Sequence, residues 1–190
     1  MTIVERIKGI LLRPESEWRV IAEEPGDPSD LFTFYVAILA LVPALAWLIG
    51  ASVVGITTAD GTVRMPLIPG LFSAIFGYVV SFVAVGLMAL VIEALARVFG
   101  GRSDFANALK LAAYSYTPLW LAGIFNLFPG LRFLSVLGLY GLYLLWTGLP
   151  PLMRVTRARG WCVLAAAACA VAIALLVGEL QGMIFTRRMG

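Results

Sequence analysis

Five apolar segments of membrane-spanning length account for most of this sequence. They occupy residues 32–54, 71–99, 105–129, 133–153 and 161–185. An α-helix needs about 20 predominantly apolar residues to cross a bilayer, and each segment has that length or more. Of the 190 residues, 61% are hydrophobic and only 13% are charged, which is far from the composition of a soluble domain. The sequence therefore predicts an all-α, polytopic membrane bundle with five transmembrane helices.

The first 31 residues are too charged to cross a membrane. Apolar residues at helical spacing predict a helix that starts after Thr2, with Thr2 and Glu5 forming a capping box. Pro14 ends this helix and opens a second one. We expect both to be amphipathic helices on the membrane surface, with Arg6 near the head groups. The domain division is a cytosolic segment, residues 1–31, followed by a transmembrane domain, residues 32–190.

The basic residues predict the orientation of the five helices. With a cytoplasmic N-terminus, ten of the 14 Lys and Arg residues fall in cytoplasmic segments and four on the other side. Cytoplasmic loops of membrane proteins carry such an excess of positive charge. We therefore expect the N-terminus inside and the C-terminus outside. The clustering of basic residues at the ends of apolar segments also argues against a nucleic-acid partner.

The sequence has few of the residues that carry enzymatic chemistry. It contains no histidine, and no nucleotide-binding, nucleophile or metal-binding motif occurs. Cys162 and Cys169 lie seven residues apart on one predicted helix, too far for a disulfide, and are expected to be packing residues. We therefore expect no enzymatic activity, no cofactor and no metal.

Polar side chains concentrate in the second and third segments. The third, FANALKLAAYSYTPLWLAGIFNLFP, holds four consecutive polar residues before a proline that deprives a helix carbonyl of its donor. In the second, Glu93 and Arg97 are spaced to pair on one helix face. Polar groups within a bilayer predict a functional site, although helix-to-helix hydrogen bonds would also explain them. The candidate site comprises Glu93, Arg97, Tyr114, Ser115, Tyr116, Thr117, Pro118 and Asn126.

The fifth segment carries small residues at every fourth position. This small-residue ridge consists of Cys162, Ala166, Ala170, Ala174, Gly178 and Gly182. Small residues at this spacing lie on one helix face and let another helix approach closely. The neighbour is either a helix of the same chain or one of a second chain, and the sequence does not distinguish the two.

The order of these motifs resembles the Yip1 family of membrane proteins. The resemblance rests on Pro14 and Trp18 before the membrane, the Gly100-Gly101 turn, the segment with Tyr114 to Pro118, and residues 140–149. It implies five transmembrane helices with a cytosolic N-terminus. Eukaryotic members associate with Rab-type GTPases and carry a longer cytosolic tail.

One part of the family pattern differs in this chain. Asp30-Leu31-Phe32 resembles the start of the conserved region, but Thr33-Phe34 replaces the Gly-Pro that usually follows. This difference and the short tail argue against Rab-type GTPase binding and indicate a prokaryotic member of the bacterial cytoplasmic membrane.

Two functional hypotheses follow. The first is a non-enzymatic scaffold, assembly or membrane-organising factor whose partners are the lipid bilayer and either another membrane protein or a second copy of the chain. The second is a small channel, carrier or lipid-moving protein that uses the polar cluster of the second and third segments.

Overall fold

The computed structural model describes residues 2–24, 30–58, 61–156 and 159–186, with the backbone alone for 56–58, 129, 132 and 176–186. The described chain is almost entirely helical, which confirms the all-α prediction. A two-stranded antiparallel hairpin, β1 (Ile56–Thr58) and β2 (Gly61–Val63), lies in the loop after the first long helix.

Two short helices form the N-terminal pair: α1 (Ile3–Leu12) and α2 (Pro14–Glu23). The predicted capping box is present, because the Glu5 N–H donates to Thr2 Oγ1 (3.3 Å) and the Thr2 N–H donates to the Glu5 carboxylate (2.8 Å). Pro14 is the first residue of α2, where its missing N–H costs no helical hydrogen bond. Both helices therefore begin where local sequence signals predict.

Among the described residues, three helices are long and apolar enough to cross a membrane: α3 (Leu31–Val54), α4 (Leu67–Val98) and the segment Phe133–Met153. Helix α3 is α-helical over Ala37–Ile49 and π-helical at Leu31–Val36 and Gly50–Val54. Large apolar side chains on α4 are exposed along one stripe: Leu71, Ile75, Val79, Val83, Leu87 and Leu90. In a membrane, such a stripe faces lipid.

The third predicted segment is not one continuous helix. It consists of α5 (Phe105–Ser115), α6 (Thr117–Ala122) and a 3₁₀-helix (Gly123–Leu127). The break at Tyr116 follows from Pro118, which cannot donate to a carbonyl one turn earlier and instead occupies the first turn of α6. Asp104 caps α5 by accepting from the Asn107 N–H (3.2 Å).

The remaining chain forms a 3₁₀-helix (Pro129–Leu139), α7 (Tyr140–Met153) and α8 (Arg159–Thr186). Helix α8 has 28 residues. The part whose side chains are described, Arg159–Leu175, is apolar but shorter than a membrane span. The backbone N–H of Arg102 donates to the Met153 carbonyl (2.7 Å), so the turn between α4 and α5 lies beside the end of α7.

The core lies where α2, α4, α5 and α7 converge. Its largest fully buried side chains include Trp18, Ile92, Leu111, Leu144 and Leu149. The N-terminal pair thus contributes to the core of the bundle, which the amphipathic pattern of its sequence does not reveal.

Candidate functional site

A buried cluster of charges joins the two helices of the N-terminal pair to each other. Arg6 Nη1 donates to Glu17 Oε1 (2.6 Å), and both side chains are more than nine-tenths buried. Arg6 Nη2 donates to both carboxylate oxygens of Glu24 (2.5 and 2.6 Å). Burial alone would lower the pKa of Arg6, but the hydrogen bond that it donates to Glu24 and the negative charges around the guanidinium raise this pKa overall. Arg6 therefore stays charged.

The position of Arg6 differs from the expectation that it lies near head groups. A guanidinium can be buried when its donors are satisfied by carboxylates in good geometry. Glu17 of α2 and Glu24, the residue directly after α2, supply them. These ion pairs hold α1 and α2 against each other. The apolar residues of both helices can then pack on the bundle.

Lys110 of α5 holds the end of α2 from the bundle side. Its Nζ donates to the backbone carbonyls of Ile21 (3.2 Å) and Glu24 (2.6 Å). The last carbonyls of a helix lack intrahelical donors, and a lysine satisfies them while complementing the negative end of the helix dipole. This contact links the N-terminal pair to the polar third segment.

Tyr114 is the aromatic centre of the contact between the N-terminal pair and the bundle, which we call the junction. Its ring lies 4.7 Å from that of Tyr35 and 6.2 Å from that of Trp18, both edge-on, and Arg6 Cζ lies 5.7 Å from its centroid. Aromatic pairs in such edge-to-face geometry, and cations over aromatic faces, are favourable. Tyr114 thus contacts α1, α2 and α3 together.

Two further hydrogen bonds complete the junction. Tyr35 OH and Thr117 Oγ1 lie 2.7 Å apart, and Thr117 is fully buried. Trp18 Nε1 donates to Thr147 Oγ1 (3.1 Å). A Cβ on Gly148 would lie 2.7 Å from the Trp18 ring, so only glycine admits this indole against α7.

Glu93 and Arg97 lie away from the other predicted site residues. Ser103 bridges them, since Arg97 Nη2 donates to Ser103 Oγ (2.8 Å) and Ser103 Oγ donates to Glu93 Oε1 (2.7 Å). The Arg97 side chain is 71% exposed, as expected at the end of a long helix. Glu93 and Arg97 therefore form an ion pair, bridged by Ser103, at the margin of the bundle.

Other predicted residues meet at a cavity of about 600 Å³ between α4, α5, α6, α7 and α8, which we call the lateral cavity. Ser115, Tyr116 and Asn126 line it. Ala166, Ala170 and Ala174 of the small-residue ridge line it as well. Part of the polar cluster and part of the ridge, predicted separately, therefore face the same space. The described side chains of α8 end at Leu175. Gly178 and Gly182 lie beyond it, where the structure describes the backbone alone.

The mouth of the lateral cavity is apolar. Lining residues that are also exposed include Leu119, Leu139, Leu142 and Val171, from four different elements. Large exposed apolar side chains are expected in a bilayer, where the surrounding solvent is hydrocarbon. The cavity therefore opens towards lipid.

Ser115 is the unusual polar residue of the cavity wall. It is only 9% exposed, and its buried hydroxyl has no hydrogen-bond partner among the described residues. An unsatisfied buried hydroxyl costs free energy, so such groups usually have a partner that is a ligand, a water or another residue. The Ser115 backbone carbonyl also directly contacts the position that a Cβ on Gly141 would occupy.

Four charged residues of the junction were not predicted as site residues: Arg6, Glu17, Glu24 and Lys110. One signal was available, because Lys110 is the only charge in the apolar segment 105–129. A charge there requires a partner. Its partner could not be identified from the sequence, since Glu24 lies 86 residues earlier.

The order of these elements can be compared with known proteins. Residues 8–178 match the Yip1 domain, which is nearly the whole chain. The chain belongs to the Yip1 family. The match includes the Yip1-type segment from Tyr114 to Pro118 that forms the junction and the cavity wall, and it confirms the resemblance noted in the sequence.

Curated relatives of this Yip1 domain come from bacteria. The chain is 29% identical over 182 residues to "Inner membrane protein YohC" of Escherichia coli strain K12, which covers 93% of this chain and 92% of the relative. The protein of the same name from E. coli O6:H1 strain CFT073 matches to the same extent. No solved structure matches this Yip1 chain.

Proposed function

We propose that this Yip1 protein is a non-enzymatic scaffold, assembly or membrane-organising factor of the bacterial inner membrane that acts through contacts with lipids and other helices. The observation that carries the proposal is the lateral cavity, whose wall includes the small-residue ridge and whose mouth is apolar. Its location is supported by the relatives, which are named as inner membrane proteins.

The use of the charged residues supports this function. Arg6, Glu17, Glu24 and Lys110 are engaged with one another or with helix ends in the junction. Glu93 and Arg97 pair at the margin. These charges therefore make structural contacts outside the cavity. The cavity wall is mostly apolar, as suits contacts with hydrocarbon or with another helix.

A second candidate is a small channel, carrier or lipid-moving protein. It is favoured by the polar residues Ser115, Tyr116 and Asn126, which share the lateral cavity. Transport needs polar groups along a path, and these three are the beginning of one.

The proposal includes five membrane crossings, with the N-terminus in the cytoplasm and the C-terminus outside. In addition to the three long helices, the proposed crossings are the segment from α5 to Leu127 and helix α8. The structure supports this orientation because Arg97, Arg102 and Arg154 lie at the end of the bundle where α4 meets α5 and α7 ends. Reporter fusions after each segment test it, and a cytoplasmic C-terminus would contradict it.

The two functions differ in what reconstituted protein does. In phosphatidylethanolamine and phosphatidylglycerol vesicles, we expect ion and lipid movement to equal that of empty vesicles. In nanodiscs of the same lipids, we expect either a defined oligomer or specifically retained lipid. Flux above the empty-vesicle rate would favour the carrier, and a strictly monomeric protein with no retained lipid or partner would contradict the scaffold.

A further inference from the structure

We propose that the lateral cavity binds one acyl chain of a phospholipid from the leaflet that borders the N-terminal pair, with Ser115 donating to an oxygen of that lipid. This inference rests on the proposed function and names its lipid ligand. It follows from the depth, size and wall of the cavity.

The depth of the cavity matches the hydrocarbon region. On α4 its wall extends from Val80 to Met88, and on α8 from Ala166 to Ala174. Eight residues of helix rise about 12 Å, so both walls indicate the same length along the helix axes. Both stretches lie well inside their helices. A chain that enters from the side therefore lies among apolar groups along this length.

The size of the cavity distinguishes a lipid chain from a helix. A hydrocarbon chain is about 4–5 Å wide, from carbon contact distances, and half a bilayer is about 15 Å thick, so one chain needs roughly 300 Å³. The cavity has about 600 Å³. Over the same ~15 Å, a partner helix about 10 Å wide would need roughly 1,200 Å³. One acyl chain fits the cavity, whereas a whole helix does not.

Ser115 lies at the depth expected for the ester groups of a lipid. It follows Lys110 by five residues, about 7.5 Å of helix rise. Lys110 binds the charged N-terminal pair, which marks the polar side of the membrane. The Ser115 hydroxyl is buried in the cavity wall without a described partner. Rotation of the Ser115 side chain turns this hydroxyl into the cavity, where an ester carbonyl can accept its proton, and the acyl chain then extends past Ala170.

The test is photocrosslinking in vesicles of phosphatidylethanolamine and phosphatidylglycerol that contain a phospholipid with a diazirine in its acyl chain. We expect adducts on peptides of α7 and α8 that line the cavity. Ala170→Phe fills the cavity and should reduce these adducts at least about 5-fold. The matched control is Leu164→Phe, because Leu164 lies on the outer face of α8 and is 62% exposed. This variant should leave the adducts unchanged.

Ser115→Ala is a second variant, which removes the hydroxyl without filling space. It should reduce the cavity adducts about 2–10-fold, the range for one hydrogen bond. It keeps the test decisive if Ala170→Phe does not fold.

Two other outcomes would overturn the inference, and a third would contradict the scaffold. Adducts confined to the outer faces of α4 and α8, unchanged by both cavity variants, show only surrounding lipid. Disulfide crosslinks between two copies, formed through cysteines introduced at cavity residues such as Ala170, show a helix contact, which leaves the proposed scaffold intact. A carrier is shown if cavity adducts appear together with lipid flux above that of empty vesicles, which contradicts the scaffold instead.

Discussion

Arg6 and Glu17 form an ion pair of 2.6 Å in which each side chain is less than one-tenth exposed. Arg6 lies on α1 and Glu17 on α2, so this ion pair holds the two helices together. Glu24 completes the coordination of the guanidinium. A segment that reads as a pair of surface helices is thereby made into a folded unit that packs on the bundle.

Removing Arg6 should strongly destabilise this unit. Arg6→Ala leaves the Glu17 carboxylate buried without its cation, which typically costs about 3–5 kcal/mol. Thermal or denaturant unfolding in detergent micelles measures the change. Lys8→Ala, on an exposed position of the same helix, is the control and should stay within about 0.5 kcal/mol. Equal effects of the two variants would show that the pair contributes nothing.

Adding a methyl group at Gly148 should displace α2 from α7. The new Cβ of Gly148→Ala would lie 2.5 Å from Leu111 Cδ1 and 2.7 Å from the Trp18 ring, and overpacking of this kind costs about 1–3 kcal/mol. Hydrogen exchange of the α2 amides should accelerate. Gly77→Ala on α4, where the added methyl group meets nothing within 4 Å, should leave that exchange unchanged. The prediction is wrong if the α2 amides are protected equally in both variants.

The hydroxyl pair of Tyr35 and Thr117 should show measurable coupling. Its oxygens are 2.7 Å apart, between α3 and the start of α6. Hydrogen bonds between membrane helices average about 0.6 kcal/mol and reach about 1.7 kcal/mol, and full burial of Thr117 favours the upper part of this range. A double-mutant cycle of Tyr35→Phe and Thr117→Val gives the coupling. Additive effects of the two changes would contradict a direct bond.

Breaking the pair of Glu93 and Arg97 should have little effect on stability. Its N–O distance is 3.6 Å and the arginine side chain is 71% exposed, so solvent screens the attraction. Arg97→Ala should change the free energy of unfolding by less than about 1 kcal/mol. The same unfolding assay, with Arg6→Ala as the strongly destabilised reference, provides the measurement. A loss comparable to that of Arg6→Ala would assign Arg97 a structural role that its exposure does not predict.

The sequence was sufficient for features that depend on nearby residues. Three of the five predicted apolar segments, the Thr2 and Glu5 capping box and the Pro14 helix start are local signals that appear in the structure close to where they were predicted. The family was also identified from the order of short motifs. Helix boundaries follow from such patterns because hydrophobicity, caps and prolines act within a few residues.

Only the tertiary structure decided which polar residues share a site. It separated Glu93 and Arg97 from the cluster, joined Lys110 to the end of α2, and brought Ser115 and Ala170 to one cavity. These contacts link residues far apart in the chain, and their geometry depends on how broken helices pack. The break at Tyr116 is an example: a proline predicts a disturbed helix, but the direction of the chain beyond it is set by its neighbours.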